Sequence, residues 1–374
     1  MKSNRRLWLK QISLGVAGIG LANFKSFASP TQDFFKFSPD NLPIKLNSNE
    51  NPYGPSPLAR TAMIDNINIS NKYNWQLTTE LIETLAKKNN VNADNILMGA
   101  GSTEILDLVT RVSALKKGSL VIADPSYAYW TNTAQKLGLK KITVPLTPDK
   151  KLDLNAMLKA IKPDTKLIYV CNPNNPTGTI CDRNKLIKFI TEATKKAMVL
   201  IDEAYIDFTD QQSLSSLVIE NKNLVIANTF SKIYGLAGAR IGYAIAKTKT
   251  LEQLSELQSW VNGSVSVAST AAALASLKDE KFVSETYSLN QKVRLFTTEQ
   301  LEKLNLVCIP SYSNFIYFSL TNYKKDFFEQ LKSNNIIGTK IYEEQGNWTR
   351  ITVGNRIKLH IKPLVRLGFL RWRR

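Results

Sequence analysis

Histidine and cysteine are scarce in this sequence, which holds one histidine and three cysteines in 374 residues. The single histidine, His360, cannot build a histidine-rich metal site, and it argues against a Ser-His-Asp or Cys-His mechanism. Cys171, Cys181 and Cys308 cannot all pair, and their spacing is not that of metal ligands. Cys171 and Cys308 lie in apolar, strand-like runs, where we expect buried and unreactive thiols. We therefore expect no metal site, and the chemistry must come from other side chains.

The sequence also has no apolar run long enough to cross a membrane, so we expect the mature body to be soluble. The uncharged residues 12–22 are too short and too rich in glycine to span about 30 Å of hydrocarbon. They follow Arg5 and Arg6 and precede a small-x-small sequence ending at Ala28, which resembles a twin-arginine export signal. A membrane anchor or an amphipathic helix is the alternative. We expect residues 1–28 to engage the twin-arginine export machinery and place the chain in the periplasm; an unused signal would leave it cytoplasmic.

Acidic residues are the minority charge, with 31 Asp and Glu against 49 Lys and Arg and a formal net charge of +18. Five of the positive charges lie in residues 1–28 and seven in residues 355–374, and neither segment contains an acid. The rest of the chain therefore carries only +6. It shows no basic stripe interleaved with aromatic residues, so we expect no nucleic-acid partner.

Short β-branched runs alternate with helical patterns through the middle of the chain, which predicts an α/β fold with a mostly parallel sheet covered by helices on both faces. From residue 276 onward, the pattern predicts a smaller α+β domain. We expect a signal peptide (1–28), an arm and lid loop (29–75), a large domain (76–275) and a small domain (276–374). The seven predicted strands are 96–99, 120–123, 142–144, 167–171, 198–202, 224–229 and 241–246.

Residues 229–242 carry only two charges, Lys232 and Arg240, in a glycine-rich run. A predicted strand delivers Ser231 and Lys232 to a turn. Burial there lowers the pKa of a lysine and frees its amine to form a Schiff base, and the guanidinium of Arg240 suits a phosphate. For this stretch alone, a chance pairing of two cations around a loop is the alternative.

Other candidates lie where predicted strands end, which is where ligands collect in parallel sheets. Gly101, Ser102 and Thr103 open a helix, whose free amides form an anion site, although a plain helix cap has the same pattern. Asp202 ends an apolar strand, where a carboxylate needs a cationic partner. A helix-capping role is the alternative for Asp202.

The spacing Ser-Lys-x-x-Gly-Leu-Ala-Gly-x-Arg-x-Gly resembles the pyridoxal-phosphate lysine motif of fold-type I (class I/II) aminotransferases. Residues 46–57 resemble the corresponding segment of histidinol-phosphate aminotransferases, and the resemblance extends over residues 46–354. It implies a homodimer with shared active sites in amino-acid biosynthesis. The cofactor would be pyridoxal 5'-phosphate, and the substrates a small-molecule amino donor and a 2-oxo acid acceptor.

The resemblance also implies a role for each candidate residue. Lys232 bonds the cofactor and moves protons, and Asp202 supports the pyridine nitrogen. Asn175 and Tyr205 contact the cofactor's 3-oxygen, and Asn175 also lies beside the substrate. The remaining roles are phosphate binding (Gly101, Ser102, Thr103, Ser231 and Arg240), stacking on the pyridine ring (Tyr127), reaching the neighbouring subunit's cofactor phosphate (Tyr73) and gripping the substrate α-carboxylate (Arg350).

Several positions depart from the family pattern. An arginine for the substrate phosphate, expected about a dozen residues before Arg350, is missing, and the nearest basic residue is Lys340. Asn74 and Trp75 replace a Pro-Asp pair after Tyr73, and a tyrosine before the lid loop is absent. An aromatic or other neutral substrate therefore stays an alternative, as do a decarboxylase or lyase reaction and a non-catalytic exported relative. The basic C-terminal residues have no assigned role.

Overall fold

The computed structural model describes residues 42–354, so the predicted signal peptide, His360 and the basic tail lie outside the described residues. Within that range, the α-helices are α1 (Pro57–Ile67), α2 (Trp75–Asn89), α3 (Ser102–Ala114), α4 (Thr131–Lys136), α5 (Leu154–Ala160), α6 (Arg183–Ala193), α7 (Thr248–Ser255), α8 (Val267–Lys278), α9 (Glu280–Glu302) and α10 (Phe327–Ser333). The strands are β1 (Ile44–Lys45), β2 (Ile96–Gly99), β3 (Gly118–Asp124), β4 (Leu139–Pro145), β5 (Thr165–Cys171), β6 (Met198–Asp202), β7 (Leu224–Thr229), β8 (Gly242–Ala246), β9 (Cys308–Ile309), β10 (Phe315–Ser319), β11 (Ile336–Ile337), β12 (Ile341–Glu343) and β13 (Trp348–Thr352).

Seven strands form one sheet in the order β2-β8-β7-β6-β5-β3-β4. Six run in the same direction, and β8 runs antiparallel to both of its neighbours, β2 and β7. The predicted mostly parallel sheet is confirmed, and β3, β4 and β5 are longer than predicted. Because β8 is reversed, its first residue lies at the edge where the other strands end.

Alternate residues of these strands face two separate apolar layers, as the two-residue period of a strand requires. On β3, Val121 and Ala123 join one cluster of buried side chains. Leu120 and Ile122 join the other. Both faces of the sheet are therefore covered, which explains why its strands read as continuous apolar runs.

Local signals place the helix starts. Ser56 accepts a hydrogen bond from the backbone of Ala59 at the start of α1, and Pro57 occupies the first turn. Asn74 caps α2 in the same way through the backbone of Leu77. Helix α2 is terminated by the following residue, Asn90, which adopts a left-handed conformation with φ of 53°.

A second, antiparallel sheet has the order β12-β13-β10-β9 and shares an apolar core with side chains of α9 and α10. Strand β1 pairs in parallel with β11, so the predicted arm contributes to this smaller part. The predicted domain boundary after residue 275 falls within α8, and the domain division stays a prediction. In the described range, no helix has the length and apolar character that crossing a membrane requires.

The large sheet ends on one side at β2. Its Met98 has an outward backbone amide and carbonyl, which bind the side chains of Asn262 and Gln258 at 2.8 and 2.9 Å. On the other side, β4 carries the exposed Lys140 and Lys141. Both edges therefore present side chains rather than a free strand.

Candidate active site

A cavity of about 630 Å³ lies where β3, β5, β6 and β7 end, next to the start of α3. The loop between β1 and α1 and the hairpin β12–β13 complete its wall. Ten of the site residues predicted from the sequence line this cavity: Ser102, Thr103, Tyr127, Asn175, Asp202, Tyr205, Ser231, Lys232, Arg240 and Arg350.

Lys232 extends from the turn that follows β7. The hydroxyl of Thr229 accepts the Ser231 backbone N–H at 3.1 Å and donates to the Ser231 hydroxyl at 2.9 Å, which fixes the turn one residue earlier. The Lys232 amine then points to the lid loop, where the carbonyls of Ser48 and Asn49 accept its hydrogen bonds at 3.3 and 3.4 Å. These are long bonds, so the amine is held loosely.

Burial lowers the pKa of Lys232 from its ordinary 10.5 to about 8. The positive charges of Arg350 and Arg240 act in the same direction, whereas the carboxylates of Asp202 and Glu50 oppose the shift. A lysine in such surroundings has a substantial fraction of uncharged amine near neutral pH. The site can therefore present a nucleophilic amine.

Asp202 ends β6 and is only 2% exposed. Burial raises the pKa of its carboxyl, while hydrogen bonds from the Tyr169 hydroxyl and the Ala204 backbone N–H, at 2.8 and 3.1 Å, act against that rise together with the charge of Lys232. The two bonds leave room for a further donor on the carboxylate. A protonated ring nitrogen would be such a donor.

Tyr205 and Asn175 meet beside this carboxylate. The Tyr205 hydroxyl accepts hydrogen bonds from the side-chain amides of Asn49 at 2.9 Å and Asn175 at 3.4 Å. Burial raises the pKa of Tyr205, with the charge of Arg350 opposing it. The hydroxyl and the amide together can donate to a phenolate oxygen of a ligand.

Arg350 lies on β13 and is 5% exposed. Its two terminal nitrogens donate to Asn175 Oδ1 and to the carbonyl of Asn47, each at 2.5 Å. Its guanidinium is 5.2 Å from the centre of the Phe315 ring and 5.6 Å from that of Tyr342. Its Nε is buried and has no hydrogen-bond partner among the described residues. An anionic ligand would satisfy such an unpaired donor.

The start of α3 faces Arg240 closely. Gly101 has a φ of 77°, and a side chain there would bring its Cβ to 2.4 Å from Arg240 Nη2. The same guanidinium donates to the carbonyl of Ala100 and the hydroxyl of Thr103, each at 3.4 Å. Free amides of a helix start, a hydroxyl and a guanidinium thus surround one point, which suits a phosphate. Gly101 itself does not line the cavity.

The other two predicted tyrosines, Tyr127 and Tyr73, differ in position. Tyr127 lines the cavity, packs edge-on against Tyr129 with 5.2 Å between ring centres, and has a pKa raised by burial. Tyr73 lies outside the cavity and is 75% exposed. Its ring contacts Trp260 at 4.7 Å and Trp75 at 6.4 Å. A single chain therefore does not bring Tyr73 to the other site residues.

Some residues in or next to the cavity were not assigned a role from the sequence. Tyr169 is not part of the cavity lining and lies in a strand that reads as apolar, yet its hydroxyl binds Asp202. Tyr169 and Cys171 share one face of β5, and Cys171 is the register partner of Asp202, so this contact follows from the pairing of β5 with β6, which the local sequence does not show. Lys141, Lys340 and Tyr342 line the cavity. Nothing in the local sequence of these three indicates that they meet.

Comparison with known proteins gives four findings. The family model "Aminotransferase class I and II" matches residues 43–361. A histidinol-phosphate aminotransferase of Moorella thermoacetica is 36% identical over 318 residues, which are 84% of this chain and 82% of the relative. That of Caldicellulosiruptor saccharolyticus is 36% identical over 297 residues, 79% of this chain and 82% of the relative. The crystal structure of histidinol-phosphate aminotransferase from Sinorhizobium meliloti in complex with pyridoxal-5'-phosphate has the same fold, with a TM-score of 0.80, 24% identity and coverage of 88% and 90%.

Proposed function

Since this chain belongs to the class I and II aminotransferase family, we propose that it transfers an amino group between an amine phosphate such as histidinol phosphate and a 2-oxo acid. Its cofactor is pyridoxal phosphate. One observation supports the assignment of roles: the Lys232 amine, with its pKa lowered to about 8, lies in one cavity with a buried carboxylate and two arginines. The fold-type I aminotransferase predicted from the sequence is confirmed.

The residues present fit the cofactor. When bound, pyridoxal phosphate supplies an electrophilic carbon and a ring that withdraws electrons from the substrate. The amides at the start of α3, Ser231 and Arg240 would hold its phosphate, and the tight approach of Gly101 to Arg240 leaves no room for another side chain there. Asp202 would hold a proton on the ring nitrogen, and Tyr127 would cover one face of the ring.

In the proposed mechanism, Lys232 carries out the proton transfers. With the cofactor bound, the uncharged Nζ of Lys232 would hold it covalently, and once the substrate amine has freed that Nζ, it would accept the proton from the substrate α-carbon and return it on the cofactor side. Asn175 and Tyr205 orient the ring from its 3-oxygen. Arg350 binds the α-carboxylate of the 2-oxo acid through paired hydrogen bonds, and its position in the cavity fixes which bond of the substrate faces Lys232.

Two lysines in the cavity favour an amine that carries a phosphate as the amino donor. Lys141 and Lys340 line the same cavity, and the Lys340 amine lies 5.6 Å from the centre of the Tyr342 ring. We expect Lys340→Met to raise the KM for histidinol phosphate about tenfold, because a charge-assisted contact to phosphate is lost. Lys340→Arg, which keeps the charge, should stay near the wild-type value. Equal KM values in all three proteins would remove Lys340 from the phosphate site.

Tyr129 and Tyr342 also line the cavity, which favours an aromatic amino acid as the second candidate donor. The test is transamination by the purified, cofactor-loaded protein with histidinol phosphate and with phenylalanine as donors. The keto product and the amino acid formed from the 2-oxo acid are both measured. Carbon dioxide and an amine in place of these products would indicate a decarboxylase. A Lys232→Ala variant that still turned over would overturn the mechanism.

The active protein in this proposal is a homodimer. In helix α1, the side chains of Leu58, Ile64 and Ile67 are 51%, 60% and 61% exposed. Tyr73, which follows α1 in sequence, and Trp260, whose ring contacts Tyr73, are also exposed. Apolar groups of this size on a surface are typical of protein contacts. Sedimentation tests the dimer. Mixing inactive Lys232→Ala chains with Tyr73→Ala chains should restore activity if Tyr73 serves the partner's site, and no recovery would argue against sharing.

Export by the twin-arginine route remains part of the proposal. It is supported by Arg5 and Arg6, the uncharged residues 12–22 and the small residues before position 29. A folded reporter fused after residue 28 should reach the periplasm, and the Arg5→Lys, Arg6→Lys form should remain in the cytoplasm. Equal distribution of the two fusions would contradict export by this route.

A further inference from the structure

Lys150 connects the loop after β4 to the hairpin β12–β13. Its amine lies 2.7 Å from a carboxylate oxygen of Glu343, and the two side chains are only 15% and 23% exposed. The other oxygen of Glu343 accepts a 2.7 Å hydrogen bond from the Tyr317 hydroxyl. The amine also lies 4.8 Å from the centre of the Trp348 ring, on which Tyr317 stacks. A shielded, hydrogen-bonded pair of this kind is stronger than an exposed salt bridge.

The backbone of Lys150 is fixed from the opposite side. Its N–H donates to the carbonyl of Thr147 at 2.8 Å, and its φ is 61°. Its carbonyl accepts the hydroxyl of Thr179 at 2.8 Å. Thr179 belongs to the loop after β5, where its own carbonyl accepts the backbone N–H of Asn174 at 2.8 Å. Lys150 is thus tied to the loop that carries Asn175.

Together, these contacts connect the hairpin β12–β13 to the loop that carries Asn175, at the end of the cavity where the substrate would bind. Glu343 pairs with Trp348 across the hairpin β12–β13. Two residues further along β13, Arg350 donates to Asn175 Oδ1. A substrate carboxylate that binds Arg350 competes for the donors that now hold Asn175. The Lys150–Glu343 pair is then the charged link that remains between the hairpin and the loop.

We propose that Lys150 is a positioning residue for substrate, because its ion pair with Glu343 holds the hairpin β12–β13, and with it Arg350, against the loop that carries Asn175. The inference rests on the proposed function, in which Arg350 binds the α-carboxylate. Tyr342, which lines the cavity, precedes Glu343 directly and is placed by the same pair. The cofactor contacts at Asp202, which ends β6, and at Arg240, in the turn before β8, lie on other segments and do not depend on it.

The test uses the cofactor-loaded protein with Lys150→Met, which keeps an unbranched side chain over Trp348 but removes the charge. We expect the KM for the 2-oxo acid to rise about tenfold, as for loss of a charged hydrogen bond. The kcat and the dissociation constant for pyridoxal phosphate should stay within about twofold, since the contacts of the cofactor with Arg240 and Asp202 are untouched. Lys150→Arg should restore most of the KM.

Glu343→Gln removes the negative charge of the same ion pair. If the pair acts as a unit, Glu343→Gln should add little to the KM of a Lys150→Met protein. A wild-type KM in Lys150→Met, fully additive effects, or a parallel loss of cofactor affinity would each overturn the proposal. Calorimetric binding of the 2-oxo acid tests the role of Lys150 separately from the proposed function. Absence of turnover in the wild-type protein would contradict the proposed function. Weaker binding of the 2-oxo acid by Lys150→Met would still support the positioning role of Lys150, and unchanged binding would refute it.

Discussion

The lowered pKa of Lys232 gives a direct test of the candidate site in the cofactor-free protein. A pKa lowered from 10.5 to about 8 corresponds to roughly 3 kcal/mol against the charged amine. At pH 7, about 9% of the amine would be uncharged, compared with about 0.03% for an unshifted lysine. The free amine is therefore expected to be about 300 times more abundant than at an ordinary lysine.

Competitive labelling with trace acetic anhydride between pH 6 and 11, followed by peptide mass spectrometry, measures this quantity. The labelling rate of the Lys232 peptide should follow a titration with a midpoint near pH 8, because the neutral amine is the nucleophile. Lys281, whose side chain is 83% exposed, reports the behaviour of a solvent-exposed lysine in the same sample. A Lys232 profile that coincides with that of Lys281 would refute the electrostatic account.

Two variants should move the midpoint in opposite directions. Arg350 disfavours the ammonium form of Lys232, so Arg350→Gln should raise the pKa. Asp202 favours the ammonium form, so Asp202→Asn should lower it. General loosening of the fold would admit water in both variants and raise the pKa in both. Opposite signs therefore identify the charges as the cause.

Two further substitutions test the ring-nitrogen and phosphate ends of the site. Tyr169→Phe removes a hydrogen-bond donor to the buried Asp202. We therefore expect the free energy of unfolding, measured by urea denaturation, to fall by about 1–3 kcal/mol, and the kcat to fall as well. Unchanged values in both assays would contradict a role for this bond. Gly101→Ala places a Cβ against Arg240 at a φ of 77°, and we expect the affinity for pyridoxal phosphate to fall about tenfold or more in a cofactor titration. Gly238→Ala is its matched control, because its Cβ would meet nothing within 4 Å, and equal losses in the two variants would point to a general effect.

The sequence predicts the sheet well because its strands are buried on both faces. β2, β6 and β7 lie where their apolar runs predict, and the polar residues that follow them reach one edge. Helix α1 was missed although Ser56 and Pro57 mark its start. Its apolar side chains Leu58 and Ile64 are exposed, so the sequence lacks the one-sided pattern by which a helix is recognised.

Contacts between distant segments could not be read from local pattern. The pairing of β1 with β11 joins residues almost 300 positions apart, and neither strand has more than two residues. The bond from Tyr169 to Asp202 and the ion pair of Lys150 with Glu343 depend on strand order and on the packing of the two sheets. Sequence spacing carries no information about those distances. Family resemblance assigned Arg350 its role, but not its bond to Asn175.

The ends of the large sheet have a consequence for the behaviour of the protein in concentrated solution. A bare edge strand invites another chain to add a strand, which is a common start of aggregation. At β2, the amides of Gln258 and Asn262 occupy the backbone groups of Met98 that such a strand would use. At β4, Lys140 and Lys141 repel an approaching copy by charge. Replacing Gln258 and Asn262 by leucine would expose the β2 edge, so that protein should become insoluble at a lower concentration than the unchanged one.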